Sequence, residues 1–155
     1  MPILATKRHA NYVKTLPSLL CLALLLASIT VQAESGTAVI VNAANTQNIT
    51  RQDISNIYHD RMINWNNGEK IDVYNLPTAS PAREIFSQNF LGMGAIAAAA
   101  AESNRHITNS SRNVQHLKRE RLVLLSVASD KNAIGYVRNS NLKKISGIRI
   151  LFVID

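Results

Sequence analysis

NITRQDISNIYHDRMINWNNGEKIDVYNLPTASPAREIFSQNF, residues 48–90, holds in order a capped amphipathic segment, a Trp-containing turn, a short alternating segment and a second helix start. Thr50 offers an N-cap with Asp53 three residues on, a capping box in its weaker Asp form. Ile54, Ile57, Tyr58 and Met62 recur at helical spacing, so one face of that helix is core. Asn67-Gly68 supplies positive φ at little cost, and Ile71-Asp72-Val73-Tyr74 alternates as a half-buried strand does. At Ser80-Pro81 serine stands at the cap and proline at the first helical position. Phe86, Phe90 and Leu91 give the second helix its apolar stripe, and Gly92 ends or bends it. The order is a βαβ-type unit in which a strand end feeds a helix N-terminus, the place where α/β proteins gather amide donors for anions.

Working outward, Thr37-Ala38-Val39-Ile40-Val41 is a continuous β-branched run and reads as a buried strand. Residues 93–101 are alanine-dominated and helical by propensity. The polar stretch 106–111 reads as a loop, followed from Ser111 or Arg112 by a charged helix with Val114, Leu117, Leu124 and Leu125 inward. Residues 132–137 form a turn into a short strand, and residues 148–154 a terminal strand interrupted only by Arg149. Strands alternating with helices, without an internal repeat, define one α/β layer structure with a mixed sheet.

The amino terminus has a different character. Lys7, Arg8 and Lys14 precede an apolar run over residues 19–27, and Val31-Gln32-Ala33 is a small-residue cleavage pattern. Residues 1–33 are therefore expected to be a secretory signal peptide, the run being short of the roughly 20 residues of a membrane span. Cys21, the single cysteine, lies in that run behind Leu20, where a lipidation signal wants a small residue. Residues 34–155 form the expected mature domain. It has no cysteine, so its stability rests on its core rather than on disulfides. It keeps 14 basic residues against 10 acidic ones, a net charge of +4. Export to the periplasm argues against a nucleic-acid partner despite the basic balance.

These segments bear a resemblance. Ile49-Thr50 through Ile57-Tyr58, then Arg61 to Trp65, resemble the "Leu-Thr, helix, Ile-Phe, basic residue, Asn-Trp" segment of the periplasmic phosphate-binding proteins of ABC importers. Ala133-Ile134-Gly135-Tyr136-Val137 is similar to that family's Gly-Ala-Ile-Gly-Tyr-Val segment. With the closing strand, the likeness runs in order over residues 38–154. It implies a single lobe of a type 2 periplasmic-binding-protein-like fold, a mixed β-sheet flanked by helices, since the chain is too short for two lobes. It also implies solute or anion binding, phosphate first, accessory to ABC transport or sensing and with an ABC permease as partner.

The family's Arg-x-Asp-x-Ser-Gly-Thr ligand stretch is only partly present. The serine falls on Ser80, but Leu76 stands at the arginine, Thr78 at the aspartate, and Pro81-Ala82 at Gly-Thr. Pro81 also lacks an amide hydrogen. His59-Asp60 stand where a glycine usually follows the Ile-Phe pair. What the resemblance leaves is a reduced anion site: the Ser80 hydroxyl, the amides of Ala82 and Arg83, and the Arg83 guanidinium. The same residues also describe an ordinary capped helix with a solvated arginine.

Other constellations are thin. Trp65 reads as a half-buried packing residue, and Tyr136 likewise. His59, His106 and His116 have neither close pairing nor cysteine partners, so no metal or cofactor is expected. Lys118-Arg119-Glu120-Arg121 and Lys143-Lys144 read as solvated charge or as a basic face for an acidic partner or anionic polymer. No nucleophile elbow, Walker loop or paired carboxylate is present, which argues against an enzyme. A second reading keeps the lobe as an adaptor for an envelope protein, because Leu76 and Thr78 make the former cleft more apolar.

Overall fold

The computed structural model describes residues 36–108 and 114–155; the expected signal segment and the Ser111-Arg112 helix start lie outside them. Strand β1 (Thr37–Asn42) is buried along nearly its whole length, as its unbroken apolar run requires. Helix α1 (Arg51–Tyr58) opens on a complete capping box: Thr50 Oγ1 accepts from the Asp53 amide at 3.1 Å, and Asp53 accepts from the Thr50 amide at 2.9 Å. Ile54, Ile57 and Tyr58 are its buried residues, while Met62 lies beyond its end. Gly68, at φ +83°, turns the chain toward strand β2 (Asp72–Asn75).

Helix α2 (Pro81–Phe86) runs into one π-helical stretch, Ser87–Leu91, which Gly92 terminates in the left-handed conformation. Helix α3 (Ala95–Thr108) begins where Glu84 Oε2 accepts the Ala95 amide at 2.7 Å, a carboxylate capping a helix start. It continues through His106, where a loop was expected, since Glu102 and Arg105 are tied to neighbouring segments and hold the last turns. Strand β3 (Gln115–His116) then replaces the first turn of the expected charged helix. The helix itself, α4 (Glu120–Ser129), buries Val123, Leu124 and Val127 and leaves Leu125 49% exposed. Its inner face had been phased from Val114 and Leu117, which precede it and belong to the β3 segment. Strands β4 (Ala133–Arg138) and β5 (Ile148–Ile154) complete the chain, joined by a 3₁₀ turn, Asn139–Lys144.

The five strands lie in the order β3-β2-β4-β1-β5. β2 is parallel to β3 and β4, whereas β1 is antiparallel to both β4 and β5. The β1–β5 register shifts between Val39 and Ile40, paired with Phe152 and Ile150, so Leu151 is an extra bulged residue. Helices cover both faces. The ring of Phe86 on α2 stacks on Tyr136 of β4 at 4.0 Å and 5°, with Tyr58 and Phe90 packed against it. The adjacent Gly135 points to the other face, where a Cβ would meet Val123 Cγ1 of α4 at 2.5 Å. Glycine is required there for that close approach. This is a mixed α/β sheet flanked by helices, as the sequence implied.

Candidate functional site

The connection leaving β2 runs to the α2 face and the one leaving β3 to the α4 face. Between them, at the carboxyl ends of neighbouring strands, an open α/β sheet forms its crevice. An open cleft of about 390 Å³ lies there, lined by Leu76 and Ser80 after β2, Lys118 and Arg119 after β3, and Arg138 at the end of β4. Arg138 is already engaged: its Nε donates to Glu120 Oε1 at 2.8 Å, and its amide to the same carboxylate. Lys118 and Arg119 are exposed, and no described residue pairs with them.

Ser80 occupies the N-cap with extended backbone, yet its side chain makes no capping bond. Its hydroxyl thus stays available at the cleft, and the first-turn amides of Ala82 and Arg83 are those a helix leaves unpaired. Arg83 is placed differently from a solvated first-turn arginine. It is 3% exposed; Nη1 donates to the Leu76 carbonyl at 2.5 Å and Nη2 to Glu102 Oε2 at 2.9 Å. Glu102, from α3, supplies the counter-charge that burial demands. The guanidinium therefore turns inward, and only the amide of Arg83 remains with Ser80 and Ala82 at the helix end.

That ion pair belongs to a polar cluster beneath the cleft. Asn75 donates to Glu102 Oε2 at 3.0 Å, Tyr136 donates its phenol proton to Asn75 Oδ1, and the Leu76 amide donates to the Tyr136 oxygen at 3.3 Å. His116 Nε2 lies 3.0 Å from Glu102 Oε1. Burial pushes the Tyr136 phenol well above its ordinary range, against the opposing pull of Arg83. Leu76, at the family's arginine position, is 1% exposed, so its side chain adds little to the apolar surface that the sequence implied for the cleft. Trp65 is 3% exposed rather than half-buried, its indole N–H donating to the Asn132 carbonyl at 3.0 Å. His59 Nδ1 sits 2.8 Å from the Ser55 carbonyl, a local helix-end contact. Among the described residues no cluster of three metal-ligating side chains occurs.

Three residues of this site were misplaced or missed by sequence reasoning. Lys118 and Arg119, expected as solvated helix charge or a basic face for an acidic partner, precede the helix instead; their signal was their position just ahead of Glu120, the acidic first residue of α4. Glu102 was not singled out, since nothing local marks a carboxylate 19 residues from the arginine it neutralises.

Sheet order, helices on both faces and the crevice at the strand ends define one lobe of the fold found in substrate-binding proteins of phosphate ABC transporters. Three solved structures share it. They are an ABC-type phosphate transport receptor from Vibrio cholerae (18% identity, TM-score 0.53), a candidate phosphate-binding protein from Planctomyces limnophilus (19%, 0.52), and a candidate phosphate ABC transporter substrate-binding protein from Clostridium perfringens with bound phosphate (22%, 0.56). Each match covers 76% of this chain but only 40–45% of the other. The resemblance read from the sequence thus holds at the level of fold. No protein-family model and no curated protein matches the sequence.

Proposed function

We propose that residues 34–155 are an exported, periplasmic solute-binding-type lobe that takes a small oxyanion, phosphate first, in the cleft between β2 and β3. The carrying observation is one open crevice in which a serine hydroxyl without a capping bond meets Lys118 and Arg119, two cations that no described residue pairs with. Ser80 would donate its hydroxyl, Ala82 and Arg83 their amides, and the two cations their charge. The buried Arg83–Glu102 pair fixes the helix end rather than gripping the ligand. Because the cleft is open on one side, water screens these contacts and binding is weak. The lobe serves ABC transport or sensing as an accessory and catalyses no reaction. No helix among the described residues is long and apolar enough to cross a membrane.

Titration of the ¹⁵N-labelled protein with phosphate, sulfate and acetate tests the site. Shifts are expected at the amides of Ala82 and Arg83 and around Lys118; their absence at millimolar anion would remove the ligand claim. Fractionation of cells should find the chain in the periplasm cleaved after Ala33. The adaptor reading gains nothing from the sealed Leu76; its support is instead exposed Leu122 and Leu125 on α4 and Ile150 and Val153 on the edge strand.

A further inference from the structure

A second cleft lies at the opposite pole of the sheet, where β1 ends and β2 and β4 begin. It has a volume of about 520 Å³, bounded by the β1–α1 loop, the turn around Trp65 and the turn into β4. Its chemistry is the reverse of the basic crevice. Carboxamides dominate the lining, and its two charged groups, Glu69 and Lys131, cancel through a 2.5 Å bond. That bond holds the Glu69 carboxyl below its usual range, so the pair stays ionised and closed on itself.

Several donors here have no partner among the described residues. Asn45 is 6% exposed, and its Nδ2 is buried without a hydrogen-bond partner, an arrangement that is destabilising if nothing else satisfies it. Its Oδ1 accepts the Gln47 amide, which fixes the side chain's orientation. The side chains of Thr46, Asn66 and Asn132 line the same space, and no described residue bonds to them. By contrast, Gln47 Oε1 accepts from the Asn66 amide at 3.0 Å and Trp65 is locked on Asn132, so the walls are pre-set.

We propose that this cleft is a binding site for an uncharged polyhydroxylated ligand, a mono- or disaccharide unit. Carboxamides both donate and accept, matching hydroxyls that do the same. Internal charge cancellation gives no purchase to an ion. A peptide would need an open strand edge or apolar side-chain pockets, and the only apolar residues in the lining are Ala44 and the buried Trp65. The site is separate from the anion cleft and stands or falls without it.

The test uses ¹⁵N-labelled full chain titrated with maltose, with trialanine and with phosphate, reading the carboxamide NH₂ signals of Asn45, Gln47, Asn66 and Asn132 and the Trp65 indole N–H. Maltose should move this set with a millimolar midpoint, as an open site of few contacts allows. Asn66→Ala, at an exposed position, should weaken the midpoint about tenfold, the worth of one neutral hydrogen bond. Thr46→Ala should act similarly and serves if the first variant does not fold. No movement at roughly 50 mM maltose, where even a midpoint of tens of millimolar would register, overturns the proposal. So does movement with trialanine or phosphate but not maltose, or equal maltose response in both variants and the parent.

Discussion

Tyr136 shows how one side chain decides local stability. Its ring completes the aromatic stack with Phe86 while its hydroxyl satisfies both Asn75 and the Leu76 amide in a site without water access. Tyr136→Phe keeps the stack but orphans both partners, and should cost about 1–3 kcal/mol in urea denaturation. Because burial raises the folded-state pKa above the ordinary value near 10, the folded form holds its proton where the unfolded chain has lost it. Its contribution is therefore complete below about pH 10 and lost as pH rises beyond that. The parent should lose stability between pH 9 and 11 (about one unit either side of the free phenol) more steeply than the Phe variant; parallel curves would contradict the assignment. Arg83 is a second such residue. Glu102→Gln leaves its buried guanidinium without counter-charge and should destabilise by about 3 kcal/mol. An unchanged midpoint would mean that water or another group supplies the charge.

Elements set by local chemistry were legible; those set by distant partners were not. β1, the Thr50 box, the Gly68 turn and Gly92 are written in adjacent residues, and each stands where the sequence placed it. β3 is two residues long and exists only because Tyr74 and Asn75 pair with it. Without that partner its sequence looks like the start of the next helix, which is why the phase of α4 slipped and Leu125 was turned inward. The Leu151 bulge and the π-helical stretch also answer to packing, not to local pattern. At the site, Ser80 and the α2 start were visible, but the cations beside them come from after β3 and converge only through the sheet order. Gly135 carries the element-scale prediction. Gly135→Ala pushes a methyl into Val123, and should cost about 1–3 kcal/mol as overpacking between α4 and β4. A Val123→Ala change in the same chain should recover part of that loss, because it removes the obstructing methyl groups; no recovery would place the strain elsewhere.

At the scale of the whole molecule, two chemically distinct ends are held apart by one rigid sheet. The carboxyl ends of β2 and β3 carry Lys118 and Arg119, which no described residue pairs with, whereas the opposite pole is amide-lined and its one acid and one base pair with each other. The chain spans less than half the length of the solved structures whose fold it shares, and its crevice is open. Affinity at such a site falls with salt, since exposed charges are screened over about 8 Å at physiological ionic strength. The most direct measurement is isothermal titration of phosphate into the parent and into a Lys118→Ala, Arg119→Ala double variant, at low and physiological salt. The parent should bind in the millimolar range, more weakly at higher salt, and the double variant should bind at least tenfold more weakly still. Undiminished binding in the double variant, or no binding heat from the parent at low salt, would contradict an anion site at the end of β2.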